Sequence, residues 1–124
     1  MPDIFIGADI VSVPRIKKSI DADKGKGFID RIFTLNEIKY CSTKKYPFIH
    51  YAGRFAAKEA VTKALLSSEL VESVTMQSIE IISGKNRRPE VNLNMELDFK
   101  YNCKVSISHS DDVALAFAIL EILV

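Results

Sequence analysis

From Pro47 to Ser67 the chain reads PFIHYAGRFAAKEAVTKALLS, and this stretch constrains the fold more than any other. Pro47 fits the first turn of a helix, and no further proline interrupts the segment. At about 100° per residue its side chains fall into three stripes. Gly53, Ala57, Ala60 and Ala64 make a stripe of small residues, where another backbone can approach closely. Phe48, Ala52, Phe55 and Leu66 make an apolar stripe, and Glu59 falls within it. Arg54 and Lys58 share a third side. A helix this apolar is expected to be enclosed rather than laid on a surface.

The other elements must supply that enclosure. Ile4 to Val13 reads as a strand, with Ile4, Ile6, Ala8 and Ile10 on one face and Phe5, Gly7, Asp9 and Val11 on the other. Both faces are expected to be buried. Pro14 opens a helix running to about Ala22, and Lys24-Gly25-Lys26-Gly27 breaks it. A short helix is predicted around Phe28–Ile32. Thr34 and Glu37 have the spacing of a capping box, which places a helix at Leu35–Ser42. Strands are predicted at Met76–Ile82 and Glu90–Leu93, around a turn at Gly84–Pro89. Two more, Lys104–Ser108 and Val113–Ile122, flank Ser110-Asp111-Asp112. Asn94–Asn102 reads as a short helix or irregular turn. The expected class is α+β, with a mainly antiparallel sheet packed against the long helix.

The chain has 124 residues and shows no linker or repeat, so a single domain over 1–124 is expected. The net charge of +1 excludes a whole-molecule attraction to nucleic acid, and no aromatic residues interleave with the basic ones. The charge is nonetheless uneven. Lys39, Lys44, Lys45, Arg54, Lys58 and Lys63 face Glu59 alone between residues 39 and 63, which suits an acidic or phosphorylated partner or a solvated face. Cys41 and Cys103 form no metal or disulfide pattern. The start Met1-Pro2-Asp3 lacks a signal-peptide pattern, and Val113–Val124 is too short to cross a bilayer. The expected compartment is the cytoplasm, with no membrane partner. Neither a P-loop nor a GxGxxG frame is present, so bound phosphates must meet side chains and metal.

Asp9 in an apolar strand and Glu59 on an apolar helix face each require a cation. A hard divalent ion such as Mg²⁺ suits one or two carboxylates, with waters and substrate phosphates completing the shell. Ordinary ion pairs are the alternative: Glu59 with Lys63 at i,i+4, and Asp9 with a nearby Lys or Arg. Lys58, Glu59 and Lys63 form a second cluster, in which an ammonium beside a metal-holding carboxylate reaches the metal-bound phosphate. His109, between Ser108 and Ser110, suits either a phosphate donor or a local backbone partner. A Ser108–His109–Asp111 hydrolase triad fails, because neighbours on a strand alternate faces. His50 carries no role from its position alone.

Taken in order, four segments resemble one family, the holo-acyl-carrier-protein synthases, the short type of phosphopantetheinyl transferase. Gly7-Ala8-Asp9-Ile10 followed by Pro14-Arg15-Ile16 resembles its G-x-D-I…R-I opening. Phe33-Thr34-x-x-Glu37 resembles its F-[ST]-x-x-E segment. Arg54 to Leu65 resembles its RFAAKEA…KAL helix, the most specific of the four. Val105 to His109 is similar to its closing S-x-S-H strand.

The resemblance implies transfer of 4′-phosphopantetheine from coenzyme A to a serine of apo acyl carrier protein, releasing adenosine 3′,5′-bisphosphate, a step that serves fatty acid biosynthesis. It implies that Asp9 and Glu59 hold Mg²⁺ and act in catalysis with Lys63. Arg54, Lys58, Lys63, His109 and Ser110 would hold the nucleotide, and Arg15 and Lys18 would face the acidic carrier. It further implies a homotrimer with sites at subunit interfaces. Two departures bear on the nucleotide pocket: Leu66 and Arg87 stand where the family usually has glycine. The competing functions are a non-catalytic carrier-binding homologue, which would not depend on Mg²⁺, and a metal-dependent nucleotide phosphohydrolase.

Overall fold

The computed structural model describes residues 3–22 and 27–123. Strand β1 (Asp3–Ser12) leads into helices α1 (Val13–Ala22), α2 (Gly27–Ile32), α3 (Leu35–Ser42) and α4 (Pro47–Ser67). Strands β2 (Ile79–Ser83), β3 (Pro89–Leu93), β4 (Lys100–His109) and β5 (Val113–Leu123) follow. The strands form two antiparallel sheets, one in the order β1-β5-β4 and one of β2 with β3. The expected α+β class and the bounds of α3 and α4 are those observed. The Lys24–Lys26 part of the expected break lies outside the described residues, and Gly27 begins α2.

The local signals explain the helix ends. Thr34 and Glu37 form the capping box, each side chain taking the other's backbone N–H. Pro47 occupies the first turn of α4, where the absent N–H costs nothing. Two strand starts differ from expectation by more than one residue. Met76–Ser78 is a 3-10 turn that precedes β2, and β4 begins at Lys100, inside the segment read as irregular.

Helix α4 lies across the three-stranded sheet, and small residues set its height. A Cβ on Gly7 would lie 1.9 Å from the Ala60 carbonyl oxygen and 2.9 Å from the Ala64 nitrogen. The small-residue stripe of α4 therefore receives the backbone of β1. Ala57, Ala60 and Ala64 meet Ala114, Ala116, Ala118 and Leu120 of β5 in one buried core. Dense contact of this kind replaces bulk with proximity, and each small residue is needed for it.

The opposite face of the sheet departs from expectation. Ile4, Ile6 and Ile10 are 60–69% exposed, and beside them Phe117 and Ile119 of β5 are 55% and 50% exposed. Register places Ile6 opposite Ile119 and Ala8 opposite Phe117, so these side chains form one continuous apolar surface. Only the Phe5, Gly7, Asp9 and Val11 face of β1 looks into the core of the chain.

Candidate active site

Asp9 projects from β1 toward α4, level with Ala116 of β5. The Lys63 ammonium donates to Asp9 Oδ1 at 3.1 Å and to the Ala8 carbonyl at 2.9 Å. The Asp9 side chain is 18% exposed and that of Lys63 52%, so the pair sits at the mouth of the helix–sheet seam. Lys63 pairs with Asp9 rather than with Glu59, the i,i+4 partner that spacing alone suggests. Glu59 is half-buried, and its pKa is raised by burial first and by Asp9 second, against the pull of Lys63. Two carboxylates thus share one half-exposed ammonium. Among the described residues no group of three potential ligands gathers, so this chain offers two oxygen donors. Such a set suits a Mg²⁺ ion completed by waters and substrate phosphates. An open cleft of about 630 Å³ adjoins Lys63, lined by Ile6, Ala8, Leu66 and Phe117 among others.

A second cluster is basic. Arg54 is 7% exposed, its guanidinium lies 3.8 Å over the Tyr40 ring, and its Nε has no hydrogen-bond partner. An orphaned buried donor on a permanently charged side chain marks a place for an anion. His109 ends β4 on the same inward face as Ile107, and its ring lies 6.4 Å from that of His50. Ser110 follows it, exposed, with Oγ accepting from the N–H groups of Asp112 and Val113 in the turn before β5. Arg15 and Lys18 lie exposed on the outer side of α1.

Lys58, expected among the nucleotide-binding residues, has its side chain fully buried in an ion pair with Glu37. It holds α4 to α3. The departure at Arg87 lies in the turn before β3. Arg87 keeps a left-handed φ of 61° beside Asn86 at 57°, so the turn keeps a geometry that favours glycine, at a cost of about 1–2 kcal/mol for arginine. Leu66, 42% exposed, borders the cleft beside Lys63.

The two clusters lie on different sides of α4. At about 100° per residue, Arg54 falls roughly 140° from Glu59, whereas Lys63 falls roughly 40° from it. Asp9, Glu59 and Lys63 make an acidic flank against β1. Arg54, His50 and His109 make a basic flank toward α3 and the end of β4. Tyr40 and His50, to which the sequence assigns no role, also stand on this flank. His50 stands one helical turn before Arg54, and that spacing was the available signal.

The family model described as the 4′-phosphopantetheinyl transferase superfamily matches residues 5–118. A holo-[acyl-carrier-protein] synthase of Clostridium botulinum (strain Alaska E43 / Type E3) is 41% identical over 124 residues, covering 95% of this chain and 97% of its own. Among solved structures, the chain is similar to the ACPS–CoA complex of Chronobacterium ammoniagenes, with a TM-score of 0.84 and 26% identity over 98% of this chain and 99% of that one. It is also similar to the holo-(acyl-carrier-protein) synthase of Bacillus anthracis str. Ames in complex with CoA (3′,5′-ADP). There the TM-score is 0.80 and the identity 32%, over 98% of both chains.

Proposed function

Since the chain belongs to the 4′-phosphopantetheinyl transferase superfamily, we propose that it is a holo-acyl-carrier-protein synthase: it moves 4′-phosphopantetheine from coenzyme A to a serine of apo acyl carrier protein. The observation that carries this reading is the Asp9–Glu59–Lys63 cluster, built on the helix with the most specific resemblance to the family. Adenosine 3′,5′-bisphosphate is the leaving group. No helix among the described residues is long and apolar enough to cross a membrane. The cytoplasm is proposed separately, as the reducing compartment that suits two cysteines in no disulfide or metal pattern.

Asp9 and Glu59 would hold Mg²⁺, which supplies charge neutralisation for the pyrophosphate. Lys63 is held at the cleft by Ala8 and Asp9, where its ammonium would meet a phosphate oxygen and the developing charge on the leaving group. The serine hydroxyl attacks the β-phosphorus in line, and the P–O bond to the leaving nucleotide phosphate breaks. A water or Glu59 would take the serine proton. Arg54, His109 and Ser110 would hold the 3′-phosphate end of the nucleotide. Arg15 and Lys18 offer exposed cations to an acidic carrier helix.

We infer a homotrimer with shared sites. Two features support it: the apolar sheet face of Ile4, Ile6, Ile10, Phe117 and Ile119, and the separation of the acidic and basic flanks around α4. The two flanks face different sides of α4. One coenzyme A can lie between the acidic flank of one subunit and the basic flank of the next.

The test is the intact mass of an apo acyl carrier protein after incubation with this protein, coenzyme A and Mg²⁺. The expected result is a gain of one phosphopantetheine, abolished by EDTA and by Glu59→Ala. Binding of the carrier with no mass gain would replace this reading with a non-catalytic carrier-binding protein. Release of adenosine 3′,5′-bisphosphate without a carrier would replace it with a phosphohydrolase.

A further inference from the structure

His50 has no part in the scheme above, yet it stands on the basic flank. It lies one turn before Arg54 on α4, so both side chains leave the helix on one side. Its ring centroid is 5.8 Å from that of Tyr40 on α3 and 6.4 Å from that of His109 at the end of β4. Arg54, over the same Tyr40 ring, keeps its buried Nε without a partner. Three elements therefore converge on a small region bounded by two imidazoles and a guanidinium.

The titratable and charged groups around His50 are Arg54 on its own helix, Tyr40 and Lys44 at the α3 end, and His109 from β4. Burial, then Arg54, Lys44 and His109, hold the His50 imidazole below its ordinary 6.5. In the free protein it is thus a neutral ring among cations. A phosphomonoester carries about −1.5 to −2 charges at neutral pH, enough to reverse that balance and restore the proton.

We propose that His50 binds the terminal 3′-phosphomonoester of coenzyme A together with His109 and Arg54, and so helps the enzyme tell coenzyme A from dephospho-coenzyme A. This rests on the coenzyme A reading and adds a residue and a proton to it. His50 takes up a proton as the phosphate arrives, and the imidazolium then donates to a phosphate oxygen. Because the bound pKa is the higher one, the affinity gain is present at the acidic side of the window and is lost as pH rises.

The experiment is isothermal titration calorimetry of the intact protein with coenzyme A and with dephospho-coenzyme A. Runs in buffers of different ionisation enthalpy, between about pH 6.5 and 8, report protons taken up on binding. The wild type is expected to take up more protons with coenzyme A than with dephospho-coenzyme A. His50→Phe should weaken coenzyme A binding about tenfold, leave dephospho-coenzyme A unchanged and lower the uptake. His50→Gln, which keeps a donor but no titrating group, should retain part of the affinity while flattening its pH dependence. If both variants melt like the wild type yet keep its proton uptake and its selectivity, His50 has no such role, and coenzyme A binding itself still stands. A wild type that binds neither ligand overturns the coenzyme A reading and this inference together.

Discussion

Glu37 satisfies three donors from three places: the Thr34 N–H and the Lys58 ammonium at Oε1, and the Ile81 N–H at Oε2. Its carboxylate and the Lys58 side chain are both fully buried. Burial pulls the Lys58 pKa down, and Glu37 pushes it back up. Nearby, Glu80 accepts from the Thr34 hydroxyl and from Asn36. Removing Lys58 alone strands a carboxylate away from water. Lys58→Ala is therefore expected to cost about 3–5 kcal/mol of stability in urea denaturation. The double variant Glu37→Gln/Lys58→Met should recover much of that loss. Loss of turnover at unchanged stability would return Lys58 to the nucleotide site. The sequence reading set Lys58 beside phosphate because its close neighbour is Glu59. Its true partner lies 21 residues back, beyond any helical spacing. Asp9 and Glu59 were legible because a carboxylate amid apolar residues demands a cation wherever the chain folds.

Among the elements, β1 and α4 form the joint that carries the site. Gly7 lets the two backbones touch, and two residues later β1 delivers Asp9 to Lys63. Gly7→Ala would drive a methyl group into the Ala60 carbonyl, which belongs to a helix backbone and cannot swing aside. A loss above about 3 kcal/mol, with activity falling alongside, is expected from thermal melting and a transfer assay. Gly53→Ala is the control. Its new methyl group would meet only the Cγ2 of Ile107, at 3.1 Å, and should cost much less. Equal effects would remove the special role of Gly7. Element ends with a local chemical cause, at Thr34 and Pro47, were readable from sequence. The start of β4 was not, because Lys100, Asn102 and Lys104 put polar side chains on the outward positions of the strand.

For the molecule as a whole, the exposed isoleucines of β1 show what a pattern of apolar residues leaves undecided. Alternation on both faces reads as burial on both, but it does not distinguish a core within one chain from a surface covered by another copy. The shared-site reading has a sharp consequence. Glu59→Ala subunits lack the acidic flank and Arg54→Gln subunits lack the basic one, and each homotrimer is expected to be inactive. Mixed from denaturant and refolded together, they should regain about a quarter of wild-type activity, the chance that two intact flanks adjoin in a ring. No recovery in mixtures that co-assemble, by native mass spectrometry, would place the whole site within one chain. The two-sided helix also has a genetic reading. Each subunit would serve one reaction with its acidic side and a different one with its basic side. An allele damaged on one side, expressed beside the normal one, silences a single site per defective subunit, whereas an allele damaged on both sides silences two. The second kind would be the dominant one, although neither protein is less stable or less abundant than the other.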